Sequence, residues 1–402
     1  MLLNALRERE TNHLLRNRFV IEQRENANVM VSGKLAANFC SNDYLNLTQH
    51  PDVVNAFIRG ANQYGLGSGA SSLVSGYFKP LKQLEEAFSE FLNRERSLLF
   101  NSGYHANLGV IPALAQKNSV VIADKLCHAS LIDGIILSRA KHLRYPHNDI
   151  AHAEKLLQKQ TEPLVVTESI FSMQGNIAPI KKLAALAIQN HALLIVDDAH
   201  GIGVLGKEGK GICEHLQLTQ KDVPCLIIPL GKSFGSFGAV VSGSESLIEY
   251  VLQFSRTYCY TTALPPAISY ATLETLKVLR DETWRREKLS YLSDKFTTAA
   301  KERKLPLISM DNTPIKSIVV GSNKMTLAIQ DKLLEKGFFV SCIRPPTVPM
   351  NTTRIRISLN CMHTEEQIIE LLDHLSHFLC SHSAESQLST RMAKLPDDRD
   401  PV

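Results

Sequence analysis

The sequence lacks the long apolar runs and paired cysteines that are typical of membrane-spanning, secreted and zinc-binding proteins. No stretch approaches the ~18 consecutive apolar residues of a membrane-spanning helix. The N-terminus contains no apolar core of signal-peptide length, and Glu8 and Glu10 argue against a transit peptide. None of the eight cysteines forms a C-x-x-C pair, which argues against a zinc or redox motif and favours reduced thiols. These absences predict a cytoplasmic protein.

An excess of charge of one sign is also absent. The formal net charge of +4 is too small to indicate a nucleic-acid-binding protein. The composition, 44% hydrophobic and 21% charged, is that of an ordinary globular protein. With 402 residues the chain exceeds one typical hydrophobic core, so we expect two or three structural units.

Apolar strand patterns alternate with amphipathic helix patterns along most of the chain. Between residues 51 and 281 this alternation predicts a large α/β domain, with a mostly parallel sheet flanked by helices. After Pro265-Pro266 the pattern changes. Residues 282–380 predict a smaller C-terminal α+β domain with antiparallel character.

The two ends of the chain have patterns of their own. Residues 1–50 predict an N-terminal helix, over 1–20, followed by an extended segment. Near the other end, Thr364 and Gln367 form a capping box for a helix that we expect over Glu365–Leu379. The stretch 381–402 is polar and aperiodic, so we expect it to be disordered.

Reactive side chains follow two apolar runs, Leu193–Val196 and Leu226–Leu230, which predict buried strands. The first run leads into Asp197-Asp198-Ala199-His200, and the second into Gly231-Lys232-Ser233. A carboxylate, an imidazole and an amine at neighbouring strand ends are the parts of a site for an electron-sink cofactor.

Two nucleotide-binding motifs occur in this region, but neither has the context that it needs. Gly201-Ile-Gly203-Val-Leu-Gly206 matches G-x-G-x-x-G, yet DDAH separates it from the strand and no helix pattern follows. Gly231-Lys232-Ser233 resembles the end of a P-loop, yet Leu226 stands where the motif requires glycine. The sequence therefore does not favour a dinucleotide or P-loop site.

A pyridoxal phosphate site is the simplest account of these strand ends. A lysine amine such as Lys232 attacks an aldehyde once burial or a nearby cation has lowered its pKa. Asp197 lies 35 residues earlier, one βα unit away, and a carboxylate there can keep a pyridinium nitrogen protonated. A metal site, built from Asp197, Asp198 and His200 with His128 or Glu168, is the alternative.

A set of motifs along the chain resembles those of the α-oxoamine synthases. These are fold-type I pyridoxal-phosphate enzymes that condense an amino acid with an acyl-CoA. The resemblance covers roughly residues 5–380 and implies the same fold and cofactor. The motifs that carry it are SNDYLNL, GSGASSLVSGY, NSGYHANLG, DKLCHASLIDG, TESIFSMQG, VDDAHGIGVLG, PLGKSFGSFG, YTTALPP and IRPPTVPMNTTRIR.

The resemblance implies a role for each residue that matches the family's catalytic motifs. Lys232 binds the cofactor as a Schiff base and removes the Cα proton of the substrate. Asp197 pairs with the pyridinium nitrogen, while His200 and Ser172 hydrogen-bond the phenolic oxygen. His128 stacks on the ring and also contacts the substrate.

It also implies contacts with the cofactor phosphate and a homodimeric assembly. Gly103 and Tyr104 offer backbone contacts to the cofactor near its phosphate. Because family members are homodimers with the site at the interface, Thr261 and Thr262 are expected to reach the phosphate in the partner's site.

The resemblance further implies which residues bind the two substrates. Asn42 and Arg356 hold the amino-acid carboxylate, for which the arginine fork is suited. Arg16 and Thr347 line the side on which the acyl group binds. The motif IRPPTVP favours L-alanine as the amino acid, with pimeloyl-CoA or a pimeloyl carrier protein as the acyl donor.

The implied reaction is a decarboxylative condensation, catalysed by an acyltransferase of biotin biosynthesis that requires no metal. Three alternatives remain. One is a glycine-using relative, such as glycine C-acetyltransferase or 5-aminolevulinate synthase, because motif fragments are shared. Another is a non-catalytic partner subunit of the same fold, which generally lacks the lysine at the position of Lys232. The third is an ordinary aminotransferase, which RPPTVP does not favour.

Three positions depart from the family's pattern. Pro229 stands where a Thr or Ser usually donates to the phosphate, so other groups must supply that hydrogen bond. Tyr104-His105 replaces a more usual pair of an aromatic and a small residue. Asn46 occupies a position where glycine is common.

Overall fold

Helices and strands follow the alternation that the sequence predicts. The computed structural model describes residues 1–392, and their side chains as far as residue 380. The helices are α1 (Leu2–Thr11), α2 (Pro51–Tyr64), α3 (Lys79–Leu92), α4 (Gly103–Leu114), α5 (Ala129–Ser138), α6 (Ile150–Leu157), α7 (Ile180–Gln189), α8 (Ile212–Leu216), α9 (Glu245–Phe254), α10 (Arg256–Cys259), α11 (Pro266–Asp281), α12 (Trp284–Glu302), α13 (Asn323–Glu335) and α14 (Glu365–Met392). The strands are β1 (Ile21–Glu25), β2 (Asn28–Val31), β3 (Lys34–Asn38), β4 (Arg96–Phe100), β5 (Val120–Asp124), β6 (Lys141–Tyr145), β7 (Leu164–Glu168), β8 (Leu193–Asp197), β9 (Cys225–Pro229), β10 (Ala239–Gly243), β11 (Ile315–Gly321), β12 (Phe338–Phe339), β13 (Ser341–Ile343) and β14 (Thr353–Ser358).

A sheet of seven strands forms the centre of the large domain, in the order β4-β10-β9-β8-β7-β5-β6. The pairs from β9 to β6 are parallel, and only β10 runs against its neighbours. All five residues of β7 and of β9 are buried, as expected for strands covered by helices on both faces. The mostly parallel sheet that the sequence predicts is thereby confirmed.

The strands that lead to the reactive residues are neighbours in this sheet. Asp197 at the end of β8 pairs with Ile227 of β9 on one side and with Glu168 of β7 on the other. The carboxyl ends of these strands therefore meet at one edge, where ligands bind in open α/β sheets. This arrangement brings Asp197 and the segment after β9, which contains Lys232, to the same place.

A smaller antiparallel sheet, in the order β11-β14-β13, forms the centre of the C-terminal domain. A further sheet, β1-β2-β3-β12, joins the N-terminal segment to this domain, since Phe338 of β12 pairs in parallel with Ala37 of β3. The large and small domains also share one hydrophobic core, which includes Leu279 and Leu289. The smaller domain with antiparallel strands agrees with the sequence prediction.

The terminal helices differ in length from our expectations. Helix α1 ends at Thr11 instead of covering residues 1–20, and it buries none of its residues. Helix α14 continues past Leu379 to Met392, and residues 381–392 contain no glycine or proline that would end it. The first part of the stretch expected to be disordered is thus helical, and residues 393–402 lie outside the described residues.

Within residues 1–392, no helix combines the length and the apolar character that crossing a membrane requires.

Asn46, one of the departures from the family pattern, adopts the left-handed conformation with a φ of 54°. Asparagine tolerates that region better than most residues, which explains how it replaces the usual glycine.

Candidate active site

A cavity of about 270 Å³ lies at the carboxyl ends of β7, β8 and β9. Most of the residues predicted for the site line it together. These are Asn42, Gly103, Tyr104, His128, Ser172, Asp197, His200, Lys232 and Arg356.

Asp197 is fixed in this cavity by hydrogen bonds to both of its carboxylate oxygens. Oδ2 accepts a hydrogen bond of 2.8 Å from Asn107 Nδ2, and Oδ1 accepts one of 3.0 Å from the backbone N–H of Ala199. The side chain is buried, with 4% of its surface exposed. A carboxylate held in this way can pair with a protonated ring nitrogen.

Lys232 follows β9 and shares the cavity with charges of both signs. Burial lowers the pKa of its amine, although the carboxyl groups of Asp197 and Glu168 act in the opposite direction. The guanidinium of Arg356 reinforces the effect of burial on this pKa. A lower pKa favours the neutral amine, which is the form that attacks an aldehyde or accepts a proton.

Two imidazoles in the cavity are held by neighbouring hydroxyl groups. Tyr44 Oη lies 2.7 Å from His200 Nδ1, and Ser130 Oγ lies 2.7 Å from His128 Nδ1. Burial, helped by the charge of Lys232, lowers the pKa of His200 well below its usual value. Burial also lowers the pKa of His128. Burial thus favours the neutral form of both rings, and the hydroxyl contacts fix their orientation.

Arg356 reaches the cavity from β14 of the small domain. Its Nε donates to the carbonyl of Ser172 at 2.7 Å, and one terminal nitrogen donates to Asn42 Oδ1 at 3.1 Å. The other terminal nitrogen donates to Ser358 Oγ at 2.7 Å. These bonds fix the guanidinium beside two other predicted site residues, where it can bind a carboxylate by its remaining donors.

The segment that carries Ser172 is tied to the small domain at three further points. Ser317 Oγ donates to the carbonyl of Met173 at 2.7 Å, and Thr313 Oγ1 donates to the carbonyl of Gly175 at 2.5 Å. Farther along, the backbone N–H of Ile177 donates to Asp311 Oδ2 at 2.7 Å. We refer to residues 171–177 as the tethered loop.

The N-terminus of α4 supplies the donors for an anion. The first backbone N–H groups of a helix have no intrahelical partners, and here they belong to Gly103 and Tyr104. Pro229 packs against Gly103, since a Cβ on that glycine would lie 2.5 Å from Pro229 Cγ. Pro229, which has no hydroxyl to donate, thus lies beside the N-terminus of α4, where backbone N–H groups can donate instead.

The other predicted residues lie outside this cavity. Asn101 Nδ2 donates to Thr261 Oγ1 at 3.1 Å and to the carbonyl of Thr262 at 2.9 Å. Arg16 donates to Thr347 Oγ1 at 3.2 Å, and this pair lines a second cavity of about 460 Å³.

Glu168 and Asn107 line the cavity in positions for which the sequence suggested no cofactor role. Burial raises the pKa of Glu168 to about 8, and the neighbouring charge of Asp197 adds to the effect. Its Oε1 is buried without a hydrogen-bond partner. The sequence contains a positional indication for both residues. Glu168 ends a parallel strand as Asp197 does, and Asn107 lies one helical turn after Gly103.

The groups around the cavity fit pyridoxal phosphate. They comprise a lysine amine for the aldehyde, a fixed carboxylate for the ring nitrogen and a helix N-terminus for the phosphate. Among the side chains that the structure describes, as far as residue 380, no group of three or more His, Cys, Asp or Glu is arranged to hold a metal ion.

Comparisons with known proteins agree with this description. The family model for aminotransferases of class I and II matches residues 36–375. An 8-amino-7-oxononanoate synthase of Saccharophagus degradans is 47% identical over 87% of this chain and 88% of its own length. One from Pseudomonas aeruginosa is 46% identical over 93% of both chains.

Solved structures of two enzymes are similar to this chain as well. A serine palmitoyltransferase of S. paucimobilis with a bound PLP–myriocin aldimine has a TM-score of 0.89 and 27% identity, over 95% of this chain and 98% of its own. An 8-amino-7-oxononanoate synthase of Francisella tularensis has a TM-score of 0.77 and 36% identity, over 86% and 98%.

Proposed function

Because the chain belongs to the 8-amino-7-oxononanoate synthases of the class I and II aminotransferase family, we propose that the cavity around Lys232 is the condensation site. The chain is a pyridoxal-phosphate-dependent acyltransferase of biotin biosynthesis. It joins L-alanine to a pimeloyl group and releases CO₂ and a free thiol. The observation that carries the proposed site is the meeting of the Lys232 amine, the Asp197 carboxylate and the Arg356 guanidinium in one cavity.

In this proposal, Lys232 is the group that transfers protons to and from the amino-acid Cα. Bound pyridoxal phosphate supplies an electron-accepting ring, which takes up the electron pair left when a bond to the amino-acid Cα breaks. Lys232 removes the Cα proton of alanine and returns a proton after CO₂ has left. Its lowered pKa suits this role, because a base near neutral pH must be available as the free amine.

The remaining groups around the cavity would hold the cofactor in one orientation. Asp197, fixed by Asn107, would keep a proton at the ring nitrogen. His200 would contact the phenolic oxygen through Nε2, since its Nδ1 faces Tyr44, and Ser172 would provide a second contact there. His128 would cover one face of the ring.

Backbone groups at the N-terminus of α4 would bind the phosphate. The free N–H groups of Gly103 and Tyr104 would donate to its oxygens, and the positive end of the helix dipole favours an anion there. This arrangement compensates for the hydroxyl that Pro229 does not supply.

Arg356 and Asn42 bind the carboxylate of alanine. Asn42 Oδ1 accepts hydrogen bonds from Arg356 and from Tyr44, which leaves its amide nitrogen as the group that can donate to a substrate. Burial of the guanidinium strengthens its interaction with an anion. Arg16 and Thr347, in the second cavity, line the side from which the pimeloyl thioester approaches.

We also infer a homodimer whose interface completes the site. Thr261 and Thr262 lie outside the cavity of their own chain, so they are available to the phosphate in the partner's site. Large apolar side chains are exposed on the same chain, with Leu66 95% and Val74 81% accessible. Exposed apolar surface of this kind marks an interface. Sedimentation of the holoenzyme as a monomer would contradict this inference.

A cytoplasmic location is part of the proposal. Cys213 and Cys225 are buried as free thiols. Burial raises the pKa of Cys225 to about 12 and that of Cys213 to about 11, so both stay protonated and unreactive. Thiols in this state are typical of a reducing compartment.

Measuring thiol release over a matrix of substrates tests the proposed function. Alanine, glycine and serine are each combined with acetyl-, pimeloyl- and palmitoyl-CoA, and pimeloyl carrier protein is included as a second donor. We expect alanine with a pimeloyl donor to give the highest kcat/KM. A higher value for glycine with acetyl-CoA, or for serine with palmitoyl-CoA, would overturn this choice of substrates.

A further inference from the structure

Ile343 lines both of the cavities described above. It contributes to the wall of the cavity of about 270 Å³ that contains Lys232, and to the wall of the cavity of about 460 Å³ that contains Arg16. The other residues that line the two cavities differ. The two cavities therefore adjoin at Ile343.

The backbone around Ile343 is held from two sides. As the last residue of β13, it pairs with Arg354 of β14, two residues before Arg356 on that strand. The following residue, Arg344, donates to the carbonyls of His13 and Leu15, the latter at 2.9 Å. The backbone of Ile343 is thus fixed where the two cavities adjoin.

Size and charge assign the second cavity to the acyl chain. The cavity at Lys232, of about 270 Å³, also has to hold the cofactor and the amino acid, so the acyl chain needs further space. The second cavity adds about 460 Å³ and contains the guanidinium groups of Arg16 and Arg344 beside one carboxylate, that of Asp331. A chain that ends in a carboxylate matches this surplus of positive charge.

We propose that Ile343 is a specificity-determining residue that selects an acyl chain with no branch next to its thioester carbonyl. This inference rests on the proposed function, in which the acyl carbonyl must meet the amino-acid Cα near Lys232. The carbonyl carbon then lies in the first cavity and the distal carboxylate in the second. The first methylenes of the chain pass beside Ile343, whose branched side chain occupies the space that a substituent on them would need.

The test compares pimeloyl-CoA with 2-methylpimeloyl-CoA, which differs by one methyl group beside the carbonyl. One such group in a closely packed apolar site changes kcat/KM by roughly 10–200-fold, so the unaltered enzyme is expected to discriminate within that range. Ile343→Ala is expected to reduce the discrimination at least tenfold, because it removes the obstructing carbons. Ile343→Val, which removes one methyl group, is expected to lie between the two.

Ile343→Phe tests the same role by enlarging the side chain instead of shortening it. The larger ring is expected to raise KM for pimeloyl-CoA at least tenfold, with less than a twofold change in alanine affinity. That affinity is measured from the absorbance change of the bound cofactor without any thioester. Cys342→Ala, at a neighbour that lines the second cavity alone, serves as the matched control and is expected to leave the discrimination unchanged.

Two results would overturn the role of Ile343. One is unchanged discrimination by an Ile343→Ala variant that retains the cofactor absorbance and the thermal unfolding midpoint of a folded enzyme. The other is an equal loss of alanine affinity and thioester KM in Ile343→Phe. Failure of the proposed function is distinguishable, because it would appear as an unaltered enzyme that releases no thiol from pimeloyl-CoA with alanine.

Discussion

The cavity has a floor and a wall that are built in different ways. The floor consists of Glu168, Asp197 and Lys232, which lie at the ends of adjacent parallel strands. The wall consists of Arg356 and the tethered loop, joined by hydrogen bonds between residues 144 and 184 positions apart. The floor is fixed by the sheet itself, whereas the wall depends on contacts between two domains. We therefore expect damage to the floor to abolish chemistry, and damage to the wall to weaken substrate binding.

Lys232→Ala is the largest expected disruption of the floor. Thiol release is expected to fall by roughly 10⁴-fold or more, because a positioned proton-transfer group contributes about 10²–10⁴-fold and this amine also binds the cofactor. The visible absorbance of the lysine-bound cofactor is expected to disappear. Retained turnover would refute the central assignment.

Lys316→Met is the matched control, at a buried lysine of the small domain. Lys316 Nζ donates to Thr297 Oγ1 and to the carbonyl of Asp311, both at 2.8 Å, and burial lowers its pKa to about 8. This variant is expected to lose stability and yet keep the cofactor absorbance. Loss of the absorbance in both variants would mean that the signal reports on folding.

The floor was predictable from sequence for a physical reason. Parallel strands place their carboxyl ends at one edge, so Asp197 and Lys232 could be expected to meet once their strands had been recognised. Glu168 follows from the same rule, although the sequence pattern indicates it only as a metal ligand. The fold class was predictable on the same basis, since the alternation of patterns decides it.

Arg356→Lys is the next largest disruption and addresses the wall. Lysine cannot reproduce the three hydrogen bonds that arginine makes to Ser172, Asn42 and Ser358 while still presenting donors to a substrate. KM for alanine is expected to rise roughly 10- to 100-fold, since a hydrogen bond to a charged group contributes about 1.5–3 kcal/mol. The cofactor absorbance is expected to remain.

Arg354→Lys provides the control for that variant. Arg354 lies two residues earlier on the same strand and donates to the carbonyls of Thr352 and Met173, but it does not line the cavity. Its KM for alanine is expected to change less than threefold. An equal rise in KM in both variants would show that the wall acts as a unit, and would remove the special role of Arg356.

The wall was only partly predictable from sequence. Arg356 and Asn42 were implied by family resemblance, whereas Ser317 and Thr313 had no signal. Their partners are backbone carbonyls, which every residue possesses, so no side-chain pattern marks them. The end of α14 was also missed, because helix propensity without apolar periodicity gives a weak pattern.

Glu168→Gln alters the floor without removing a side chain, and its effect depends on pH. Folded Glu168 keeps its proton up to pH about 8, against a usual pKa of 4.5. Between these values the folded state binds more protons than the unfolded state, so stability falls as pH rises, by at most about 1.4 kcal/mol per pH unit. Glutamine cannot titrate and is expected to abolish this fall.

Urea unfolding of cofactor-free protein across that pH range measures this difference. The gap in stability between Glu168→Gln and the unaltered chain is expected to widen in favour of the variant towards pH 8. Glu335→Gln, at an exposed glutamate, is expected to follow the unaltered chain. Parallel curves for all three proteins would contradict a buried, protonated Glu168.

Ser317→Ala is the mildest variant and separates the two regions most sharply. It removes one hydroxyl, which bonds the small domain to the carbonyl of Met173 in the tethered loop. Ser97→Ala is its match in the central sheet, where a buried hydroxyl lies 2.7 Å from Ser242 Oγ. Each variant is expected to lose about 1 kcal/mol of stability.

Only Ser317→Ala is expected to raise KM for alanine, by about 2- to 5-fold with kcat unchanged. The reason is that Met173 adjoins Ser172, whose carbonyl orients Arg356. Equal KM values in the two variants would mean that the remaining bonds from Thr313, Asp311 and Arg354 hold the tethered loop without Ser317.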